Sequence, residues 1–344
     1  MYANLSDVMN IKVACGLICS LALTLFFGCQ ASVEESNSIF DVTVDSLFSI
    51  HTVNGEEFGV LRDLKLGEDG TLFLSDPGLH QVHKFTPDGE WIDSVGREGE
   101  GPGEFNRLGL IQVIGDTLFV PEASQRAVHV FSAVDLTFKE TVRLSTGLFS
   151  PGNAHLTPIG EEYLYLGGIS FSTNDVLVRT DRRFQDAQPV LMHYIPSNPI
   201  WALTHAVSLP TDALFVAYRF LPFVEVVQGT TVTASGPLHG VTVDDEDAQL
   251  SVERDGYIRV AQGVPSTPVT YDLAATQEGL VFVVLRTEGG ARTVQLYDGA
   301  AQYRGEFNLP ASAAGIAVHE NRLYTIGGDR LHVQVYEFQI TERL

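Results

Sequence analysis

Cysteine is confined to one end of this 344-residue chain: Cys15, Cys19 and Cys29 are the only three, and nothing after Cys29 can form a disulfide, a thiolate metal site or a thiol nucleophile. Lysine is nearly as scarce. Beyond Lys12 only Lys65, Lys84 and Lys139 occur, within 21 Lys+Arg against 43 Asp+Glu and a formal charge of -22. Such an acidic surface repels phosphate backbones, which excludes nucleic acid as a partner. Helical periodicity is almost absent. There is no GxSxG elbow, no HExxH pair and no GxxxxGK[ST] loop. GREGEGPG, from Gly96, lacks the G-x-G-x-x-G spacing, and no helix follows it to receive a phosphate. What is present is a large apolar fraction, 44% hydrophobic and 10% aromatic, enough for a substantial core.

The first residues read as an export signal. A lone Lys12 precedes VACGLICSLALTLFFGC, after which the chain turns polar as QASVEESNS. Met9 competes with Met1 as the start. Val13 to Gly28 is short for a spanning helix, which needs about 20 apolar residues. LFFGC resembles a bacterial lipobox, which implies lipidation at Cys29, although Phe26 stands where Leu is usual; cleavage after Ala31 is the alternative. The expected division is a signal over 1–28, a lipidated cysteine and flexible tether over 29–38, and one folded unit over 39–344.

An internal repeat decides the fold class. The most hydrophobic runs begin at Leu72, Leu118, Tyr163, Leu214, Val281 and Leu323, at intervals of 46, 45, 51, 67 and 42 residues. Each is followed by a second alternating run: QVHKF, AVHVF, DVLVRT, FVEVV, TVQLY and HVQVY. Four short strands every 40 to 50 residues are the mark of a propeller blade. The fold expected is therefore all-β, a six-bladed β-propeller with four-stranded antiparallel blades at about 58–96, 105–144, 152–196, 204–236, 268–309 and 313–340. The sixth unit is one strand short, and IFDVTVDSLFSI from Ile39 is a strand without a neighbour, so 39–51 is expected to complete the last blade and hide its edge. The interval of 67 leaves about 25 residues beyond a blade's need, an insertion at about 237–267. Phe73, Phe119, Tyr165, Phe215, Phe282 and Tyr324 recur one or two places into the anchor runs and are assigned to blade interfaces.

AAGIAVHENRLYTIGGDRLHVQVYE resembles an NHL-type repeat, and LGEDGTLFLSDPGLHQVHKFTPDGEWIDSVGREGEGPGEF is similar to the blade of bacterial six-bladed β-propeller lipoproteins of the NHL/TolB-like group. The likeness is tight over 58–131 and 313–338. It implies the fold, and it leaves activity open, because such propellers serve as lyases, lactonases, glycan binders and scaffolds.

Propellers bind on the loops of one face, where strands hold the loops rigidly. Here that face is expected to gather Arg97, Arg126, Tyr218, Arg219, Arg286 and Arg330, with Arg62 and Asp63 on an inner strand. Arginines converging there would be a local exception to the acidic field, suited to a carboxylate, sulfate or uronate. The alternative for each is a turn cap or a pair with a nearby Glu. The inner strands also offer Gln112, Tyr271, His155 and His205; the two histidines are the candidates for proton transfer or metal binding at the channel mouth. No cofactor is assigned, and no metal: calcium at DDEDAQ, from Asp244, is weighed and set aside because the spacing is not that of a calcium loop. The functional reading is an exported, lipid-anchored binding or scaffold module on the outer-membrane or periplasmic side, monomeric, taking a glycan, peptide or envelope protein. The alternative is a hydrolase, lyase or lactonase at the mouth of the central channel.

Overall fold

The computed structural model describes residues 39–144, 155–160, 163–167, 177–185, 187–190, 192, 194–196, 203–241, 249–252, 258–261, 268–287 and 290–343. The signal, Cys29, the tether and DDEDAQ from Asp244 lie outside them, as do parts of the third blade and of the insertion.

Six four-stranded antiparallel sheets form the molecule, and the described residues contain no α-helix. Their first strands are Asp63–Leu66, Gln112–Ile114, His155–Ile159, Thr204–Ser208, Thr270–Ala275 and Ala313–His319. Each touches the first strand of the next sheet, and the last touches the first, so the six blades close a ring. Blades one to five are simple meanders in sequence order. Blade six is made from both ends of the folded chain, with Ile39–Ile50 as the outermost strand beside Val333–Arg343.

The second strand of each blade explains the repeat. It is covered on both faces, so its residues alternate between two neighbours rather than between core and water. Leu72 and Leu74 pack toward blade six, while Phe73 between them packs toward blade two. The core is accordingly divided into six apolar layers, one between each pair of adjacent blades. Phe73, Phe119, Phe215, Phe282 and Tyr324 are buried in those layers. Burying polar side chains between blades requires partners, and the same device recurs. Asp76 accepts backbone N–H bonds from Gly59, Val60 and Gly78 at 2.8–2.9 Å. Glu122 does the same for Asn106, Arg107 and Ser124 in blade two.

The glycine-rich stretch from Gly96 to Phe105 is the connection from blade one to blade two. Arg97 Nε and Nη2 both donate to Glu104 Oε1, at 2.8 and 2.6 Å, and Gly101 N donates to Glu104 Oε2 at 2.8 Å. Phe105 is thereby driven fully into the layer between the two blades. The insertion contributes a hairpin, Gln249–Val252 with Ile258–Ala261, whose second strand runs parallel to Tyr194–Pro196 after blade three.

The closing strand pairs from Ile39 opposite Arg343 to Ile50 opposite Val333, with one irregularity between Ser46 and Phe48. Gln334 occupies that irregularity: its Nε2 donates to Ser46 Oγ and to the Phe48 carbonyl, both at 2.8 Å. On its other side the strand crosses blade five at Gly305, whose φ is +149° and where a Cβ would stand 2.5 Å from the Phe40 carbonyl oxygen. Only glycine fits both the angle and the approach. Gly305→Ala is expected to cost about 2–4 kcal/mol in urea unfolding, near the upper range for single substitutions. Deletion of Ile39–Ile50 is expected to leave a chain with no cooperative transition that recovers one when the twelve-residue peptide is added back.

Candidate functional site: the axial cavity

The first strands of the six blades surround a cavity of about 640 Å³ on the ring axis. Equivalent positions can be counted from the residue that pairs with each anchor: Leu66 with Leu72, Ser208 with Leu214, Ala275 with Val281. Three places before those residues stand Asp63, His205 and Asp272. In blade three the run that matches LFLSD starts at Leu164, one place after Tyr163; the same count from Val113, from its partner Pro158 and from Val318 reaches Leu110, His155 and Gly315. One level of the ring therefore reads Asp, Leu, His, His, Asp, Gly, and all but the glycine line the cavity.

Both aspartates are bound in one pattern. Asp63 Oδ1 accepts from Leu64 N and Asp63 Oδ2 from Ile111 N of the next blade, at 3.0 and 2.8 Å. Asp272 accepts from Leu273 N and from Ile316 N of the next blade, each at 2.9 Å. Each carboxylate thus ties its blade to the following one, and only its remaining lone pairs face the axis. Lys65 Nζ takes up one of them, 2.8 Å from Asp63 Oδ1, and also donates to the Leu64 carbonyl. Burial pushes both carboxyls up, and Lys65 pulls them back. Burial opposes the charge on Lys65, but Asp63 and then Asp272 overcome it and hold the ammonium above its ordinary range. Asp63 accepts only donors, as an ionised group does.

The two histidines face this cluster from the opposite arc. Burial, then the charge each would feel from its neighbours, lowers the pKa of both to about 3: His205 and Lys65 act on His155, Arg219 and Lys65 on His205. Both imidazoles are neutral at physiological pH. The 3.7 Å approach of His205 Nδ1 to Asp272 Oδ1 is therefore not an ion pair and is too long for a hydrogen bond. The Nε2 atoms of His155 and His205 are shielded from solvent without hydrogen-bond partners. Among the described residues no group of three or more His, Asp or Glu is placed to hold a metal ion.

Arg62, Arg219 and Arg330 line the same cavity at the end where the first strands begin. Arg330 Nη1 donates to the Leu61 carbonyl at 3.2 Å, and Leu61 N donates back to the Arg330 carbonyl at 2.8 Å, which fixes this loop to the entry of blade one. Burial lowers the pKa of Arg62; Asp63 opposes this, and the charges of Arg330, Arg107 and Arg219 reinforce it. Arg219 is lowered by burial and by Arg330, against the influence of Tyr271 and Asp272. Its Nε is shielded and has no hydrogen-bond partner. The guanidinium groups stay charged, and they repel one another across the mouth. The cavity lining carries Arg62, Lys65, Arg219 and Arg330 against two carboxylates, in a chain whose overall charge is -22.

Of the residues singled out in the sequence, Arg62, Asp63, Gln112, His155, His205, Arg219, Tyr271 and Arg330 meet at this cavity. The rest lie elsewhere. Arg97 is spent on Glu104 in the inter-blade loop, and Arg126 and Arg286 do not line the cavity. Tyr218 is fully buried between blades three and four, its hydroxyl donating to Glu225 Oε2 at 2.9 Å, so it offers no ligand contact. Lys65 and Asp272 were missed. Asp272 had a signal: YDLAA repeats the Asp-Leu of RDLKL at the same distance from its anchor.

Residues 30–221, more than half of the chain, match the family DUF5128, described as a 6-bladed beta-propeller. The chain belongs to that family. Among curated proteins, none matches it. Solved structures of similar fold include a DUF4221 member from Bacteroides vulgatus, with a TM-score of 0.61 at 9% identity over 88% of this chain and 99% of that one. A Bacteroides fragilis protein named as exported aligns with a TM-score of 0.55 at 13% identity, over 88% and 96%. A gluconolactonase from Xanthomonas campestris aligns with a TM-score of 0.52 at 13% identity, over 82% and 87%. At these identities the likeness is one of fold.

Two measurements check the electrostatics. With histidine pKa values depressed from about 6.5 in the unfolded chain to about 3 in the fold, the unfolded state binds more protons between those limits. Stability is therefore fully present above pH 6.5 and falls below it, by about 1 kcal/mol per pH unit for each histidine. His155→Gln with His205→Gln is expected to flatten that decline between pH 6.5 and 4 in urea titrations. Lys65→Met leaves Asp63 a buried charge without its counter-charge and is expected to cost about 3–5 kcal/mol. Adding Asp63→Asn should recover part of that loss.

Proposed function

We propose that this protein is an exported, lipid-anchored binding module of the cell envelope, whose axial cavity takes an anionic ligand of the sugar-acid type. The observation that carries the reading is the convergence of Arg62, Arg219 and Arg330 on one concave, partly buried site in a protein whose net charge is -22. Guanidinium groups match carboxylate and sulfate in shape as well as sign. A cavity of about 640 Å³ accepts a ligand of one to three sugar rings, within the usual range for small-molecule sites. The neutral imidazoles of His155 and His205 and the amide of Gln112 supply hydrogen-bonding groups for hydroxyls. Export rests on the apolar segment before Cys29 and agrees with the fold neighbour from Bacteroides fragilis that is named as exported. Anchoring rests on the lipobox-like LFFGC.

A second reading is favoured by the same histidines. Two neutral, unpartnered imidazoles beside an arginine cluster are also what a lyase or lactonase uses to move a proton near a bound carboxylate. Streptogramin B lyase, of similar fold with a TM-score of 0.51 at 12% identity over 88% of this chain and 98% of that one, and the gluconolactonase lend this reading fold-level support alone.

Isothermal titration with galacturonate and glucuronate oligomers, against neutral oligomers of equal length, tests the first reading. Acidic oligomers are expected to bind, and Arg219→Gln with Arg330→Gln to weaken them at least tenfold; equal affinity for neutral oligomers would remove it. An anion arriving beside His155 and His205 raises their pKa values from about 3, so binding takes up protons only as pH nears those values, and affinity is expected to stay level from pH 7 to 6 and to rise below pH 5. The second reading requires turnover of a uronide or lactone that His155→Ala and His205→Ala abolish.

A further inference from the structure

A second concentration of positive charge lies far from the arginine mouth. Between blades two and three, toward the end of the ring where Thr117 begins its strand and the turn after Leu177–Asp181 emerges, an open groove of about 960 Å³ is lined by Lys139, Arg143, Arg182 and Arg183. Glu140 is its one acidic lining residue among the described ones. Four of the 21 basic residues therefore gather on a single groove, while acids outnumber bases about two to one over the chain. Elsewhere Lys65, Arg97, Arg304, Arg322 and Arg343 each lie within ion-pair distance of a carboxylate. The four in the groove make no ion pair among the described residues, and Arg182 Nε is shielded from solvent without a hydrogen-bond partner. Holding like charges together unpaired costs energy that a bound polyanion returns.

We propose that this groove is a binding site for a linear acidic polysaccharide, separate from the axial cavity. The chemistry of the lining favours a glycan over an acidic peptide. An acidic peptide also docks on arginine clusters, but an extended strand gains its specificity from pockets for alternate side chains, and the floor here is closed: Phe119 and Phe184 are only 5% and 4% exposed and belong to the inter-blade layer. Between the cations the groove offers Thr117 and Gln185, neutral hydrogen-bonding groups. An acidic polysaccharide presents one anionic group per sugar or two among several hydroxyls, and that alternation fits cations interleaved with hydroxyl and amide groups. At physiological salt the screening length is about 8 Å, so the remote acidic surface does little to repel a chain lying in the groove.

The test uses the purified protein, heparin and polygalacturonate as sulfated and carboxylated probes, and polyglutamate as a peptide polyanion, with affinity read by fluorescence anisotropy. At least one of the two glycans is expected to bind, weakening at least tenfold from 50 to 300 mM NaCl and at least tenfold again in Lys139→Gln with Arg182→Gln and Arg183→Gln. All of these affinities are read in an Arg219→Gln with Arg330→Gln background, so that acidic glycan held by the axial cavity does not contribute. If the triple variant melts early, the single Lys139→Glu reversal is read in its place. Equal affinity for polyglutamate, no binding of either glycan once the mouth arginines are replaced, or no loss from the groove variants would each overturn the proposal.

Discussion

Everything in this molecule depends on one edge-to-edge pairing, that of Ile39–Ile50 with Val333–Arg343. A propeller blade is stable only between two neighbours, because its apolar faces are covered by the blades on either side and by nothing of its own. A ring of six needs every layer, and the layer between blades five and six includes Phe40, Val42 and Val44 of the closing strand, packed beside Phe338 and Ile340. Hydrogen bonds to Gln334 and the bare backbone of Gly305 let that strand sit close on both sides. The clasp also hides an edge that would otherwise offer a row of unpaired amides to another chain.

Closing the ring creates the site as a by-product. Six strands meeting around an axis cannot fill it, and the residues nearest the axis are held by neighbouring blades rather than by a central core. Asp63 and Asp272 illustrate the economy: one carboxylate both staples two blades together and sets the charge of the cavity. Lys65 compensates the negative cluster at depth, and the mouth is left to the arginines. The cavity is thus graded along its axis, cationic at the entrance and near neutral below it. An anionic ligand of the kind proposed would be drawn in by that local field and would meet hydrogen-bonding groups once inside.

Much of this was legible in the chain. The repeat could be read because the second strand of each blade is covered on both faces and so appears as an unbroken apolar run, LFLSD or VFVVL, at nearly even spacing. The missing strand at the end of the sixth unit and the spare strand before the first told of the clasp. Side-chain destinations were harder to see. Arg97 and Arg219 both sit in loops at one end of the ring, yet Arg97 meets Glu104 seven residues away while Arg219 reaches the axis. Tyr218 ends its strand and is buried in the inter-blade layer, whereas Arg219, the first residue beyond that strand, lines the cavity. Local sequence carries blade and strand; which way a loop side chain turns depends on partners brought in from other blades.

The composite sixth blade has a consequence for biogenesis. Its outermost strand is made before blades one to five and its partner after them, so those blades emerge before the ring can lock. A nascent chain therefore carries an open sheet from near its beginning until residue 343 is available, and a polypeptide broken off early has no way to seal itself. Were the chain exported unfolded, as the proposed function implies, this ordering would keep the barrier to threading low until Val333–Arg343 had passed.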